Sequence, residues 1–110
     1  MNIGKLKLKN PIFLAPMSGV SDYPYREIVK KFNPGLVFSE MIASRALIEK
    51  NRKTLKMIKK DSNYLYAIQI AGCDPKVMGE AAKMCEDYGA DIVDINMGCP
   101  VKKVINGYAG

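Results

Sequence analysis

Four short apolar runs recur along this chain, and their spacing constrains the fold more than any other feature. They are Ile12 to Ala15, Leu36 to Phe38, Tyr64 to Ile70 and Asp91 to Ile95. Amphipathic stretches separate them, so the repeat length is roughly 25–30 residues, as expected of strand–helix–strand units. This predicts an α/β fold built of parallel βαβ repeats. Right-handed crossovers would then carry the C-terminal ends of all four strands to one face of the sheet. No repeat exists at the level of individual residues.

The helices follow from caps and periodicity. Ser21 or Asp22 is a candidate N-cap, with Pro24 tolerated in the first turn. Tyr25, Ile28, Val29 and Phe32 then fall at helical spacing, and Asn33-Pro34-Gly35 ends the helix. A second helical region is predicted from Ser44 to Lys59, with Leu47, Leu55 and Ile58 on one face. Asp61-Ser62-Asn63 reads as a turn. Asp74-Pro75 opens a third helix whose apolar stripe is Val77, Ala81, Met84, Cys85 and Tyr88, with Gly89 just past its end. Ahead of the first run, Ile3, Leu6 and Leu8 alternate loosely with Lys5, Lys7 and Lys9, which suits a short hairpin or edge strand. Val101 to Gly110 shows no clear period.

A chain of 110 residues can enclose one small core. It contains no apolar run of about 18 residues, so no membrane span is expected. Its first residues do not resemble a signal peptide, and a cytoplasmic setting is the default. Three cysteines and no histidine argue against a disulfide framework and against most metal sites. The net charge of +6 permits a polyanionic partner without requiring one. The basic run from Lys50 to Lys60 reads as a solvated helix face, with phosphate contact as the functional alternative.

Four segments should meet where the strands end: Pro16-Met17-Ser18, Glu40-Met41, Gln69-Ile70-Ala71 and Asn96 to Pro100. A carboxylate, two amides and a thiol facing one another make a candidate small-molecule site. Gln69 stands in an apolar strand, where an unpaired polar group is costly, so a ligand or a protein partner is expected for it. Pro100 restricts Cys99 to extended conformations and would help aim its sulfur. Cys99 can also be read as a small buried turn residue. Cys85 lies on a core stripe, and Cys73 fills a loop. Lys102 and Lys103 follow the Cys99 turn directly and could meet a polyanionic backbone at the site mouth.

The motifs resemble those of the tRNA-dihydrouridine synthases. Asn10-Pro11 with Ala15-Pro16-Met17-Ser18-Gly19-Val20-Ser21-Asp22 is similar to that family's opening signature. Ser39-Glu40-Met41, Gln69-Ile70-Ala71-Gly72 and Asp94-Ile95-Asn96-Met97-Gly98-Cys99-Pro100 follow in family order. The resemblance implies the first half of a TIM (β/α)8 barrel that binds FMN, uses NADPH to reload it, and reduces the C5–C6 bond of uridine in tRNA. Pro16, Met17 and Ser18 would lie against the flavin, and Gln69 would bond its pyrimidine edge. Cys99 would donate a proton, and Asn96 would sit close to the target uracil. An ordinary cysteine thiol, with a pKa of about 8.5, is mostly protonated at neutral pH and can serve as a general acid.

Such a barrel needs eight βα units and about 250 residues. Four strands are present here, so the resemblance implies an N-terminal half. The remaining barrel, its phosphate-binding loops and a helical RNA-binding domain would be absent. The expectation is therefore a truncated fragment with exposed sheet edges, prone to self-association, and with weak or no FMN binding alone. Two alternatives stay open: an inactive half-barrel without cofactor, and an FMN barrel acting on a free pyrimidine, like a dihydroorotate dehydrogenase.

Overall fold

The computed structural model describes residues 1–60 and 64–110, so the turn expected at 61–63 lies outside the described residues. A two-stranded antiparallel hairpin, β1 (Asn2–Ile3) and β2 (Leu6–Lys7), opens the chain. A four-stranded parallel sheet follows in the order β3 (Phe13–Leu14), β4 (Leu36–Ala43), β5 (Tyr66–Ala71) and β6 (Ile92–Ile95). The helices are α1 (Tyr23–Lys30), α2 (Ser44–Ile48), α3 (Arg52–Met57), α4 (Pro75–Asp87) and α5 (Lys102–Asn106). Sequential parallel strands joined by helices are the arrangement expected for the first half of a (β/α)8 barrel.

Alternation along β5 divides the interior into two layers. Tyr66, Ile68 and Ile70 face the helices, where they join Val37, Ile42, Leu47, Ile58, Ala81 and Cys85 in one buried cluster. Ala67 faces the other way, toward Leu8 and Leu36, with Ile3, Phe38 and Ile92 packed around them. The hairpin thus covers the end of the sheet opposite the strand C-termini, leaving Gln69 on that same face but near the open end.

Two helices begin where their caps predict. Asp22 accepts from Tyr25 N at 3.0 Å, and Asp74 accepts from Lys76 N and Val77 N at 2.9 and 3.2 Å. Gly89 follows α4 with a φ of +93°, a left-handed value that favours glycine.

Three expectations are corrected, for the first strand, the second strand and the second helical region, and the surroundings of α1 and the form of the tail are added. The first run, Ile12 to Ala15, whose unbroken apolar character predicts a buried parallel strand, forms only the two-residue β3 at the sheet edge, and Ile12 is 68% exposed. Among the described residues, no further strand covers it. The apolar stripe of α1 is also largely open, with Ile28 and Phe32 exposed, while Arg26 of that helix is buried instead. Its guanidinium donates to Ser21 O and Lys59 O at 2.8 and 3.2 Å and lies 4.9 Å from the Tyr66 ring centre. The second strand runs five residues past Phe38, to Ala43. The helical region from Ser44 to Lys59 is two helices, because Lys50 adopts a φ of 54° and Asn51 caps α3 through Lys53 N and Thr54 N. The tail forms the short helix α5.

Candidate active site

The site is built from the four strand ends. After β3, the chain closes into a turn held by Ser21, whose hydroxyl accepts from Met17 N at 2.8 Å and donates to Met17 O at 3.1 Å. Gly19 takes a φ of +74° there. Its N–H donates to Glu40 Oε1 at 2.6 Å, tying the loop to β4. The Glu40 carboxylate is therefore occupied in holding Pro16, Met17 and Ser18 against the neighbouring strand. Spacing alone placed Glu40 at the mouth but gave it no task.

β4 contributes a second device. The register between β4 and β5 shifts between Phe38 and Met41. Ser39 fills the irregularity: its hydroxyl accepts from Gln69 N at 3.0 Å and donates to Glu40 O at 2.7 Å. A side chain thus replaces a ladder bond and fixes the backbone of Gln69, as bulges near binding sites commonly do.

Gln69 itself is 6% exposed. Its Nε2 donates to Asp94 Oδ2 at 2.6 Å, and its Oε1 accepts from Asn96 Nδ2 at 3.2 Å. Asn96 Oδ1 in turn accepts from Gly98 N and Cys99 N at 3.0 and 3.1 Å. The turn carrying Cys99 is thereby connected to the sheet through side chains. Asp94 stands first in the motif read from sequence, which gave it no role. The available signal was an acidic residue in an apolar strand, one place before the Ile95-Asn96 strand end.

These elements enclose an open cavity of about 350 Å³ lined by Pro16, Ser18, Met41, Gln69, Asn96, Met97, Gly98 and Cys99. All four expected segments meet in it. Met17 belongs to the loop but not to the lining. The lining is without charge: apolar walls surround two amides, one hydroxyl and one thiol. That chemistry suits a flat, neutral heteroaromatic ring with polar edges.

Lys102 and Lys103 lie on α5, both exposed. Lys103 borders a second cavity of about 380 Å³, together with Arg45, Asp74, Val77 and Val104, and the two cavities share Met41. The basic residues Lys50, Arg52, Lys56, Lys59 and Lys60 border a separate depression with Leu55 and Tyr88. Lys60 is paired there with Asp91 at 3.1 Å.

Cys73 is exposed. Burial in the core pushes the Cys85 thiol up to about 11, which suppresses its thiolate at neutral pH. Among the described residues, no group of three or more Cys, Asp or Glu side chains is placed to hold a metal ion. Among them also, no helix is long and apolar enough to cross a membrane.

A family model described as dihydrouridine synthase (Dus) matches residues 13–110. A probable tRNA-dihydrouridine synthase of Rickettsia bellii is 54% identical over 112 residues, covering all of this chain and 34% of the relative. A probable tRNA-dihydrouridine synthase of Rhizobium leguminosarum is 48% identical over 105 residues, covering 96% of this chain and 33% of the relative. The tRNA-dihydrouridine synthase B of Pasteurella multocida is 47% identical over 111 residues, covering all of this chain and 33% of the relative. The chain thus spans about a third of the length of these curated relatives.

Proposed function

This chain belongs to the dihydrouridine synthase family, and we propose that it forms the flavin-facing and uracil-facing half of a site that reduces uridine to 5,6-dihydrouridine in tRNA. Residues 1–110 would be the first half of the catalytic barrel, working in the cytoplasm with a helical RNA-binding domain supplied by further sequence. The observation that carries this reading is the convergence of Gln69, Asn96 and Cys99 with the Pro16–Ser18 turn around one uncharged cavity.

The lining suits the ring of FMN. Pro16 and Ser18 would support its face, Met17 would shape the turn that carries them, and Gln69 would bond its polar edge. The cavity lining holds no cation for the phosphate, which would be bound outside it. FMN held there would contribute hydride chemistry toward C6 of the uracil, with NADPH as the source of its reducing equivalents. Asn96 would hold the uracil edge, and the Cys99 thiol would deliver the proton needed at C5. Lys102 and Lys103, beside the Cys99 turn, would meet the tRNA backbone.

In a polypeptide of the relatives' length, Gln69→Ala should weaken FMN binding by about tenfold, the loss of one buried hydrogen bond. Fluorescence titration with FMN reads this directly, and unchanged affinity would remove Gln69 from the flavin site. The 110-residue chain alone should bind FMN weakly or not at all, for want of phosphate contacts. Equilibrium dialysis that recovers a yellow chain would overturn that expectation.

The two sheet edges favour self-association of the isolated chain. Ile12, Phe13, Ile28 and Phe32 are exposed near one edge, and Ile95, Met97, Val101 and Ile105 near the other. Sedimentation should show dimers or larger species whose fraction rises with concentration. A monomer at all concentrations would contradict this.

A further inference from the structure

We propose that Asp94 is a positioning residue that orients the amides of Gln69 and Asn96, so that Asn96 offers the cavity only an N–H donor, directed at a carbonyl oxygen of a ring. The proposal rests on the functional reading above only for the identity of that ring. The orientation itself follows from the hydrogen bonds.

Gln69 and Asp94 are register partners on β5 and β6, so their side chains stand side by side on one face. An ionised carboxylate only accepts hydrogen bonds. The 2.6 Å contact with Asp94 Oδ2 must therefore come from Gln69 Nε2, which turns Oε1 toward Asn96. Only the amide nitrogen of Asn96 can satisfy that oxygen, and it does so at 3.2 Å. Oδ1 of Asn96 is then directed at the Gly98 and Cys99 N–H groups, which it accepts at 3.0 and 3.1 Å. One obligate acceptor at the head of the chain thus dictates the direction of every bond in it. The bond at its head is charge-assisted and the strongest kind available there.

The consequence concerns what remains for a ligand. A carbonyl-type oxygen has two acceptor positions. Both are used on Asn96, so Asn96 meets a ligand only through its second N–H. Gln69 likewise keeps one N–H and a single acceptor position. Both residues line the cavity. On the Asn96 side, which is the side given to the uracil, the site therefore favours a pyrimidine with an exocyclic carbonyl, as in uracil, over one with an exocyclic amino group, as in cytosine. An amino group facing the Asn96 N–H would leave two donors opposed.

Two measurements test this. In a polypeptide of the relatives' length, NMR follows the side-chain amide signals of Gln69 and Asn96 and the backbone amide of Cys99. Asp94→Ala should move all three, and the isosteric Asp94→Asn, whose oxygen still accepts, should restore most of the pattern. In a Gln69→Ala background, Asp94→Ala should no longer move Asn96 or Cys99. Shifts confined to Gln69, or persisting at Cys99 in that background, would overturn the relay. Asp94→Asn guards the test if Asp94→Ala does not fold, since it must still move the Gln69 signal by removing the charge. In a polypeptide of the relatives' length, preference for UMP over CMP as a competitor of tRNA should fall about tenfold in Asp94→Ala. An unchanged preference overturns the specificity claim. Failure of the wild-type polypeptide to bind either nucleotide would instead refute the functional reading, with the NMR result standing apart from it.

Discussion

Replacing Cys99 by alanine is expected to lower dihydrouridine formation by about 10²–10⁴-fold in a polypeptide of the relatives' length, the usual contribution of a positioned general acid. Affinity for tRNA should hardly change. The sulfur borders the cavity, while the turn that carries it is held by backbone bonds to Asn96 at 3.0 and 3.1 Å, which alanine would keep. Pro100 likewise remains to restrict the backbone. The loss should therefore fall on the chemical step, readable by single-turnover kinetics with tRNA saturating. Cys99→Ser, which keeps a hydroxyl proton at the same place, should recover part of the rate. An alanine variant within a few-fold of the parent rate would make Cys99 a space-filling turn residue and leave the proton donor unassigned.

The second large effect is alkaline unfolding. Burial pushes the Tyr66 hydroxyl up to about 12, against the lowering influence of the neighbouring Arg26, and burial pushes the Cys85 thiol up to about 11. Both groups hold their protons in the folded chain beyond the pH at which the unfolded chain releases them. Their contributions to stability are complete below about pH 9 and are lost as pH rises toward 11 for Cys85 and 12 for Tyr66. Each shift of roughly two units corresponds to about 2–3 kcal/mol, a large share of the roughly 5–15 kcal/mol that holds a typical domain folded. Among the described residues, Tyr66 Oη is moreover buried without a well-formed hydrogen bond, and the nearby Ser39 hydroxyl only lowers its pKa against the larger effect of burial. Tyr66→Phe should therefore leave stability at pH 7 unchanged or higher and displace the alkaline transition upward. Circular dichroism as a function of pH would check this. A Tyr66→Phe chain that unfolds at the same pH as the parent would show that the hydroxyl does not drive the transition.

The features that sequence made legible were those carried by short-range rules. Strand positions followed from the apolar runs, and the N-caps Asp22 and Asp74 and the terminal Gly89 from local backbone chemistry. The meeting of Pro16, Ser18, Gln69, Asn96 and Cys99 followed from parallel topology alone. Periodicity failed where tertiary context decides. It identified Tyr25, Ile28 and Phe32 as one face of a helix but could not say what covers that face. Arg26, buried against Tyr66 and two carbonyls, breaks the rule that arginine faces water because its donors find partners inside. The break between α2 and α3 was hidden because Leu47, Leu55 and Ile58 keep helical spacing across it. Asn51, a good N-cap, was the overlooked signal. The roles of Ser39, Glu40 and Asp94 are cross-strand relations, and a single sequence contains register only implicitly.

The most direct test of the functional reading is nucleoside mass spectrometry of tRNA after incubation with a polypeptide of the relatives' length that carries this sequence, together with FMN and NADPH. The expected result is uridine converted to dihydrouridine in tRNA, with free orotate left unreduced in the same mixture. Unchanged tRNA beside consumed orotate would contradict the assignment and make the site that of an enzyme acting on a free pyrimidine.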